Sequence, residues 1–218
     1  MNESEIDGYN QKELDNGRLT LRHIRIMTMF WQEHHEGLEV DGKCGPRTRS
    51  SMALATSTSD LARRALEFAI GWIGEGEEGG NNSGPFVEML HHKEFDGDND
   101  DDGAWCAAFV STCFERACGE LGVEMPFERS GGAKTLMRRI GKAGQFVLAP
   151  DILPGDVVAW DRGAVGSWQG HVGIVERYEP DTGMLHTIEG NVGRYPAKVR
   201  RFTHDMSKQT RLEGISRI

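Results

Sequence analysis

The feature that most constrains the fold is a change of hydrophobic period partway along the chain. Up to about residue 117 the apolar residues recur at helical spacing. Beyond the turn cluster Pro150-Asp151-Ile152-Leu153-Pro154-Gly155-Asp156 they come in short runs. A 3.6-residue repeat buries one face of a helix, whereas a short run bounded by turn residues reads as a strand. Val157–Trp160, His171–Tyr178 and Met184–Glu189 are such runs, and the last two are joined across Glu179-Pro180-Asp181-Thr182-Gly183 as a hairpin. Lys198–Phe202 and Leu212–Ile215 add two further candidate strands. Helices first and an antiparallel sheet afterwards predict an α+β fold.

The helical part has its own division. Leu21, Ile24, Met27, Met29 and Trp31 predict an amphipathic helix ending near His34. Val40-Asp41-Gly42 then makes a tight turn, and Pro46 after Gly45 starts a second helix through Met52 and Leu54. Ala55-Thr56-Ser57-Thr58-Ser59 is a polar linker, with Ser59 placed to cap a helix carrying Leu61, Ala65, Phe68, Ala69 and Trp72. Two domains are therefore expected: residues 1–57, small and all-helical, and residues 58–218, the α+β domain.

Charge narrows the function classes. The 218 residues carry a formal net charge of -9, which argues against generic nucleic-acid binding. No apolar run approaches the ~20 residues of a membrane span, so no membrane insertion is expected. Met1-Asn2-Glu3-Ser4-Glu5 has neither the basic nor the apolar region of a secretory signal. The four cysteines, Cys44, Cys106, Cys113 and Cys118, form no CxxC pair. Cys113 and Cys118 project from different sides of a helix, so the pattern fits a reducing compartment with at least one free thiol.

One of these cysteines is placed for chemistry. Cys106 opens a helix whose apolar side is Phe109, Val110, Cys113, Phe114 and Ala117. The free backbone N–H groups and positive dipole end of a first helical turn both favour thiolate over thiol. A thiolate nucleophile needs a base, and the base needs an orienting partner. His171, at the start of a strand after the loop Gly163–Gly170, is the candidate base. Glu189 and Asn191, two apart and so on one face of an extended chain, are the candidate partners.

Trp105-Cys106-Ala107-Ala108-Phe109-Val110, Pro154-Gly155-Asp156-Val157-Val158, Gly170-His171-Val172-Gly173-Ile174-Val175 and Ile188-Glu189-Gly190-Asn191 together resemble the successive motifs of the CHAP domain. The resemblance runs from near Asn82 to Phe202 and implies a papain-like cysteine amidohydrolase or peptidase acting on peptidoglycan. It implies Cys106 as nucleophile, His171 as general base then acid, and Glu189 as the orienting partner. Asn191 would support the site or polarise the bound carbonyl, and the Cys106 N–H would serve an oxyanion hole. The bond that the resemblance implies is an amide, either between the sugar lactyl group and L-alanine or within the peptide stem or cross-bridge. Trp105, Trp160 and Trp168 are candidates to line the groove, against the reading that they are core.

Residues Met27–Ala55, with Val40-Asp41-Gly42-x-x-Gly45-Pro46-x-Thr48, resemble the three-helix peptidoglycan-binding module of wall enzymes. The whole then resembles a phage endolysin: a monomer held in the host cytoplasm without a signal peptide, then released to the periplasm and cell wall. A tail-associated lysin, a secreted bacterial effector, or a non-catalytic wall-binding or virion protein retaining the fold are the alternatives.

The resemblance implies a reaction that requires no cofactor. Asp98-x-Asp100-x-Asp102-Gly103 has the opening of a calcium loop, so Asp96, Asp98, Asp100 and Asp102 are the candidate calcium ligands. The twelfth position is Phe109 rather than Glu, so this is not a complete EF-hand loop. Adjacent histidines such as His91-His92 rarely converge on one metal, and no HExxH or CxxC supports zinc.

Overall fold

In the computed structural model the chain divides into two units, Met1–Ser57 and Thr58–Ile218. The structure describes residues 58–91, 103–149, 151–164 and 166–218, and in the first unit residues 25, 26, 28, 29, 32, 33, 38–43, 45 and 48.

In the first unit Arg25, Ile26, Thr28, Met29, Gln32 and Glu33 are helical. The apolar stripe expected here falls mostly on residues outside the described set. The described positions that are buried are polar: Thr28 and Gln32, one turn apart, and Thr48. Gln32 clamps the Asp41-Gly42 turn. Its Oε1 accepts from the backbone N–H of Asp41 (3.2 Å) and Gly42 (2.9 Å). Its Nε2 donates to Asp41 Oδ1, the Lys43 carbonyl and Thr48 Oγ1 at 3.0–3.1 Å. Gly42 takes a φ of +70°, which a side chain would strain. A buried amide with every group satisfied fixes a loop more sharply than an apolar contact, because any shift leaves a donor unpaired.

The second unit begins with α1 (Asp60–Gly71), capped by Ser59, whose Oγ accepts from the Ala62 N–H at 3.1 Å. Its buried face is Ala62, Ala65, Leu66 and Ala69. Small side chains let it lie close against α3 (Cys106–Leu121), after the short α2 (Pro85–Leu90). Phe109 and Phe114 of α3 are fully buried, and truncating either to alanine costs about 3–5 kcal/mol. α3 ends at Gly122, left-handed at φ +66°. α4 (Ala133–Ala143) and β1 (Gln145–Val147) were not expected. The signal for α4 is present in Leu136, Met137 and Ile140, which recur at helical spacing and are buried.

The remaining strands are β2 (Val157–Asp161), β3 (Gly170–Glu179), β4 (Met184–Glu189), β5 (Arg200–Asp205) and β6 (Leu212–Arg217). They form one antiparallel sheet in the order β1-β6-β2-β3-β4-β5. The α+β expectation holds. Strand alternation gives the sheet two unlike faces. On one, Gly170 lies against Ala133 and Lys134 of α4, and Val172 and Ile174 follow it into the core. On the other, Val158, Trp160, Val175, Leu185 and Ile215 cluster with Val147 and Ile152. His171 is paired with Trp160 across β2 and β3, so it shares this second face.

Two devices hold the frame. Asp156 of the Pro154-Gly155-Asp156 turn is buried, bonded by the Leu153 N–H and gripped by Arg217 Nε and Nη2 at 2.7 and 2.8 Å. Glu77, also buried, accepts from Asn82 N (3.0 Å), Trp105 Nε1 (3.3 Å) and Ala197 N (2.6 Å). It thus ties the glycine-rich loop and the segment before β5 to the residue that starts α3.

Candidate active site

The site forms where the first turn of α3 meets the beginning of β3. Trp105 is the N-cap of α3 and offers no side-chain cap, and the first capping N–H to be used is that of Phe109, which bonds the Trp105 carbonyl. The N–H groups of Cys106, Ala107 and Ala108 are therefore left at the positive end of the helix. Cys106 is 5% accessible, His171 3% and Glu189 2%, so the three groups interact in a medium that screens them weakly.

His171 Nε2 and Glu189 Oε2 lie 2.8 Å apart. That leaves Nδ1, which is buried and without a tight hydrogen bond, for the Cys106 sulfur. Cys106 is the other group that acts on the ring, by hydrogen bonding and charge.

The protonation states follow from these contacts. Burial opposes a Cys106 thiolate. The His171 hydrogen bond and charge, the charge of Arg162 and the Val172 backbone outweigh it and bring the thiol below its ordinary value. Cys113, two turns further along the same helix, has no such partners, and burial pushes its thiol well up. For His171 burial opposes the imidazolium, but the hydrogen bonds to Cys106 and Glu189 prevail and raise its pKa. For Glu189 burial opposes the carboxylate, yet the His171, His204 and Thr187 hydrogen bonds hold it down at about 2. The shifts of Cys106 and His171 run toward thiolate and imidazolium, and that of Glu189 toward carboxylate, so each moves toward the charge opposite to its neighbour's.

Two glycines make room for this row. A Cβ on Gly173 would stand 2.6 Å from Glu189 Cγ, and one on Gly190 2.4 Å from the Trp105 indole. The first lets the carboxylate lie across β3. The second lets the turn after β4 rest on the residue that precedes Cys106. Hence the glycines flanking His171 and Glu189 in the sequence are packing requirements of the site.

Of the candidate residues, the structure brings together Cys106, His171 and Glu189. Asn191 ends the same turn with φ +59°, a left-handed conformation, and its half-buried side chain makes no described hydrogen bond to Cys106, His171 or Glu189. Trp105 is fully buried and edge-on to Phe86 with ring centroids 6.0 Å apart, so it does not line a groove. Trp160 is 7% accessible and belongs to the core face, where it stacks on His171 at 5.9 Å. Both corrections have one cause: the indole ring next to a strand or helix start is the best available core filler. Trp168, at 63%, is exposed on the loop before β3. Asp96, Asp98, Asp100 and Asp102 lie outside the described residues; among the described ones no group of three or more His, Cys, Asp or Glu is placed to hold a metal.

Residues 98–191 match the family model of the CHAP domain.

No curated protein matches the chain. CHAP domains are generally cysteine- and histidine-dependent amidohydrolases or peptidases. The matched segment contains Cys106, His171, Glu189 and Asn191. It does not reach His204, which sequence reasoning missed and which bonds Glu189 Oε1 at 2.6 Å. Thr187, Arg162 and Glu77 were missed as well. Thr187 had a readable signal, being two residues before Glu189 on the same strand face. For His204 and Glu77 there was none, because their partners lie 15 and 28 residues away.

Proposed function

We propose that the CHAP domain of this protein hydrolyses an amide of peptidoglycan through Cys106. The single observation that supports it most is the Cys106–His171–Glu189 row, buried and biased toward the thiolate form. The thiolate attacks the amide carbonyl, and the oxyanion is met by the Cys106 N–H at the helix start. The intermediate collapses by breaking the C–N bond, as imidazolium His171 gives its proton to the leaving amine. The acyl group is then a thioester on Cys106. Neutral His171 takes a proton from water, hydroxide adds to the thioester carbonyl, and the thiolate leaves. Glu189 remains a carboxylate throughout and stabilises the imidazolium.

The first unit serves as a wall-binding module in this reading, with the Gln32-clamped Asp41-Gly42 turn as its best-supported feature. The narrower assignment is a phage-type endolysin, acting as a monomer and reaching the wall after cytoplasmic synthesis. It is tested by producing the protein in a host with and without a permeabilised inner membrane. Lysis without permeabilisation would count against it.

Purified protein should clear wall preparations, and Cys106→Ala should not. Mass spectrometry of the released fragments then identifies the bond. Clearing by Cys106→Ala at the wild-type rate would end the thiolate mechanism. Iodoacetamide separates catalysis from a scaffold role: Cys106 should label at mildly acidic pH, far ahead of Cys113 and Cys118. Equal, slow labelling would favour a scaffold.

A further inference from the structure

We infer that His204 is a positioning residue of the site, holding the second oxygen of Glu189 so that the first stays on His171. The inference rests on the relay proposed above, and it adds to it a residue beyond the segment that matches the family.

A carboxylate that orients an imidazole has two oxygens, and a buried one must satisfy both. Glu189 Oε2 faces His171 Nε2 at 2.8 Å. Oε1 receives His204 Nε2 at 2.6 Å and the Thr187 hydroxyl. The titratable groups bonded to Glu189 are thus His171 from β3 and His204 from β5, with Thr187 from β4 itself. The His204 ring is fixed in turn. It packs on Trp160 with centroids 4.6 Å apart and on Phe202 at 6.4 Å. Trp160 also stacks on His171 at 5.9 Å. One indole therefore backs both imidazoles, and one carboxylate joins them. The side chain of His204 is 21% accessible, against 3% and 2% for His171 and Glu189. It is the member of this group that closes the row toward solvent.

Register explains the need for it. Glu189 is the last residue of β4 and pairs with Arg200, whereas His204 pairs with Leu185. The carboxylate leans back along its own strand, over Thr187, to meet His204. Without a donor there, nothing but the Thr187 hydroxyl would hold Oε1, and the carboxylate could turn off His171. Weaker contact lowers the affinity of His171 for its proton, and the thiolate of Cys106 then forms only at higher pH.

The test is the pH profile of Cys106 alkylation by iodoacetamide in the full chain, which needs no wall substrate, alongside clearing of wall preparations. His204→Phe keeps the ring stacking and removes the donor. His204→Gln restores an N–H near the position of Nε2. His204→Phe should move the alkylation profile up by about one pH unit and lower kcat/KM about tenfold, the factor that one pKa unit sets. His204→Gln should restore most of both. If His204→Phe does not fold by circular dichroism, His204→Asn, whose amide is too short to reach Glu189, carries the same expectation. An unchanged alkylation profile in the folded variant, or a Gln variant no better than Phe, overturns the inference. A wild-type Cys106 that shows no activation at all would instead overturn the relay beneath it.

Discussion

The two buried carboxylates, Glu189 and Asp156, differ in what faces them. Asp156 is held by the guanidinium of Arg217 and by a backbone N–H. Glu189 is held by two imidazoles and a hydroxyl. Burial raises the pKa of Asp156 despite Arg217, while the histidines bring that of Glu189 down to about 2. A guanidinium keeps its charge at every accessible pH, so the Asp156 pair fastens the end of the sheet. An imidazole can give up its proton, so the Glu189 group can take part in proton transfer. Similar burial thus serves a clamp in one place and the proposed relay in the other, and the partner decides which.

The largest expected effect that sharpens this contrast is on the relay. Glu189→Gln should lower kcat/KM by about 10⁴-fold, as loss of an orienting carboxylate does elsewhere, with the Tm changed by only a few degrees. A Gln variant of near wild-type activity would remove the distinction. Arg217→Met should do the reverse. It leaves Asp156 buried without its cation, which costs about 3–5 kcal/mol of stability in denaturant titration. The alkylation profile of Cys106 should stay where it is. A displaced profile would mean that the clamp and the relay are coupled.

Gly173→Ala should fall between these two. Its new methyl meets Glu189 Cγ at 2.6 Å, and the clash costs about 1–3 kcal/mol and displaces the carboxylate. Activity should therefore fall further than stability alone accounts for, as measured by kcat/KM at a temperature where the variant is fully folded.

The smallest effect is the dependence of stability on pH, where the two carboxylates have opposite signs. Glu189 has its folded pKa lowered from 4.5 to about 2, so its contribution is complete above 4.5 and is lost as the pH falls toward 2. Asp156 has its folded pKa raised from 3.8, so its contribution is complete below 3.8 and is lost as the pH rises through the folded value. His171, raised from 6.5, adds stability that is complete below 6.5 and is lost as the pH rises through its folded value. Urea midpoints of the wild type should drop on acidification from pH 4.5 toward 2, and those of Glu189→Gln should drop less. Equal drops would assign the acid sensitivity to other groups.

The candidate site was legible in the sequence to the extent that its parts are local. Cys106 at a helix start, His171 at a strand start and Glu189 at a strand end each sit at an element boundary that turn residues and hydrophobic period reveal. Four of the strands that carry or flank the site were readable to within three residues. α4 was passed over although its period was there, and the buried face of α1 took in Ala62 and Leu66 rather than Leu61. The indoles of Trp105 and Trp160 were expected at the groove and lie in the core, because sequence gives the position of a side chain and not its burial.

By itself the sequence determined that helices precede an antiparallel sheet, and that a cysteine, a histidine and a glutamate stand at the ends of consecutive elements. Those are properties of neighbouring residues, fixed by backbone sterics and period. Only the tertiary structure decided that Glu189 shares its charge between His171 and His204, that Glu77 anchors Trp105, and that Gly173 and Gly190 are clearances. Each of these depends on strand register or on contacts between distant segments. A register shift of one residue would have sent His204 to the opposite face, and no local pattern around it records which way it points.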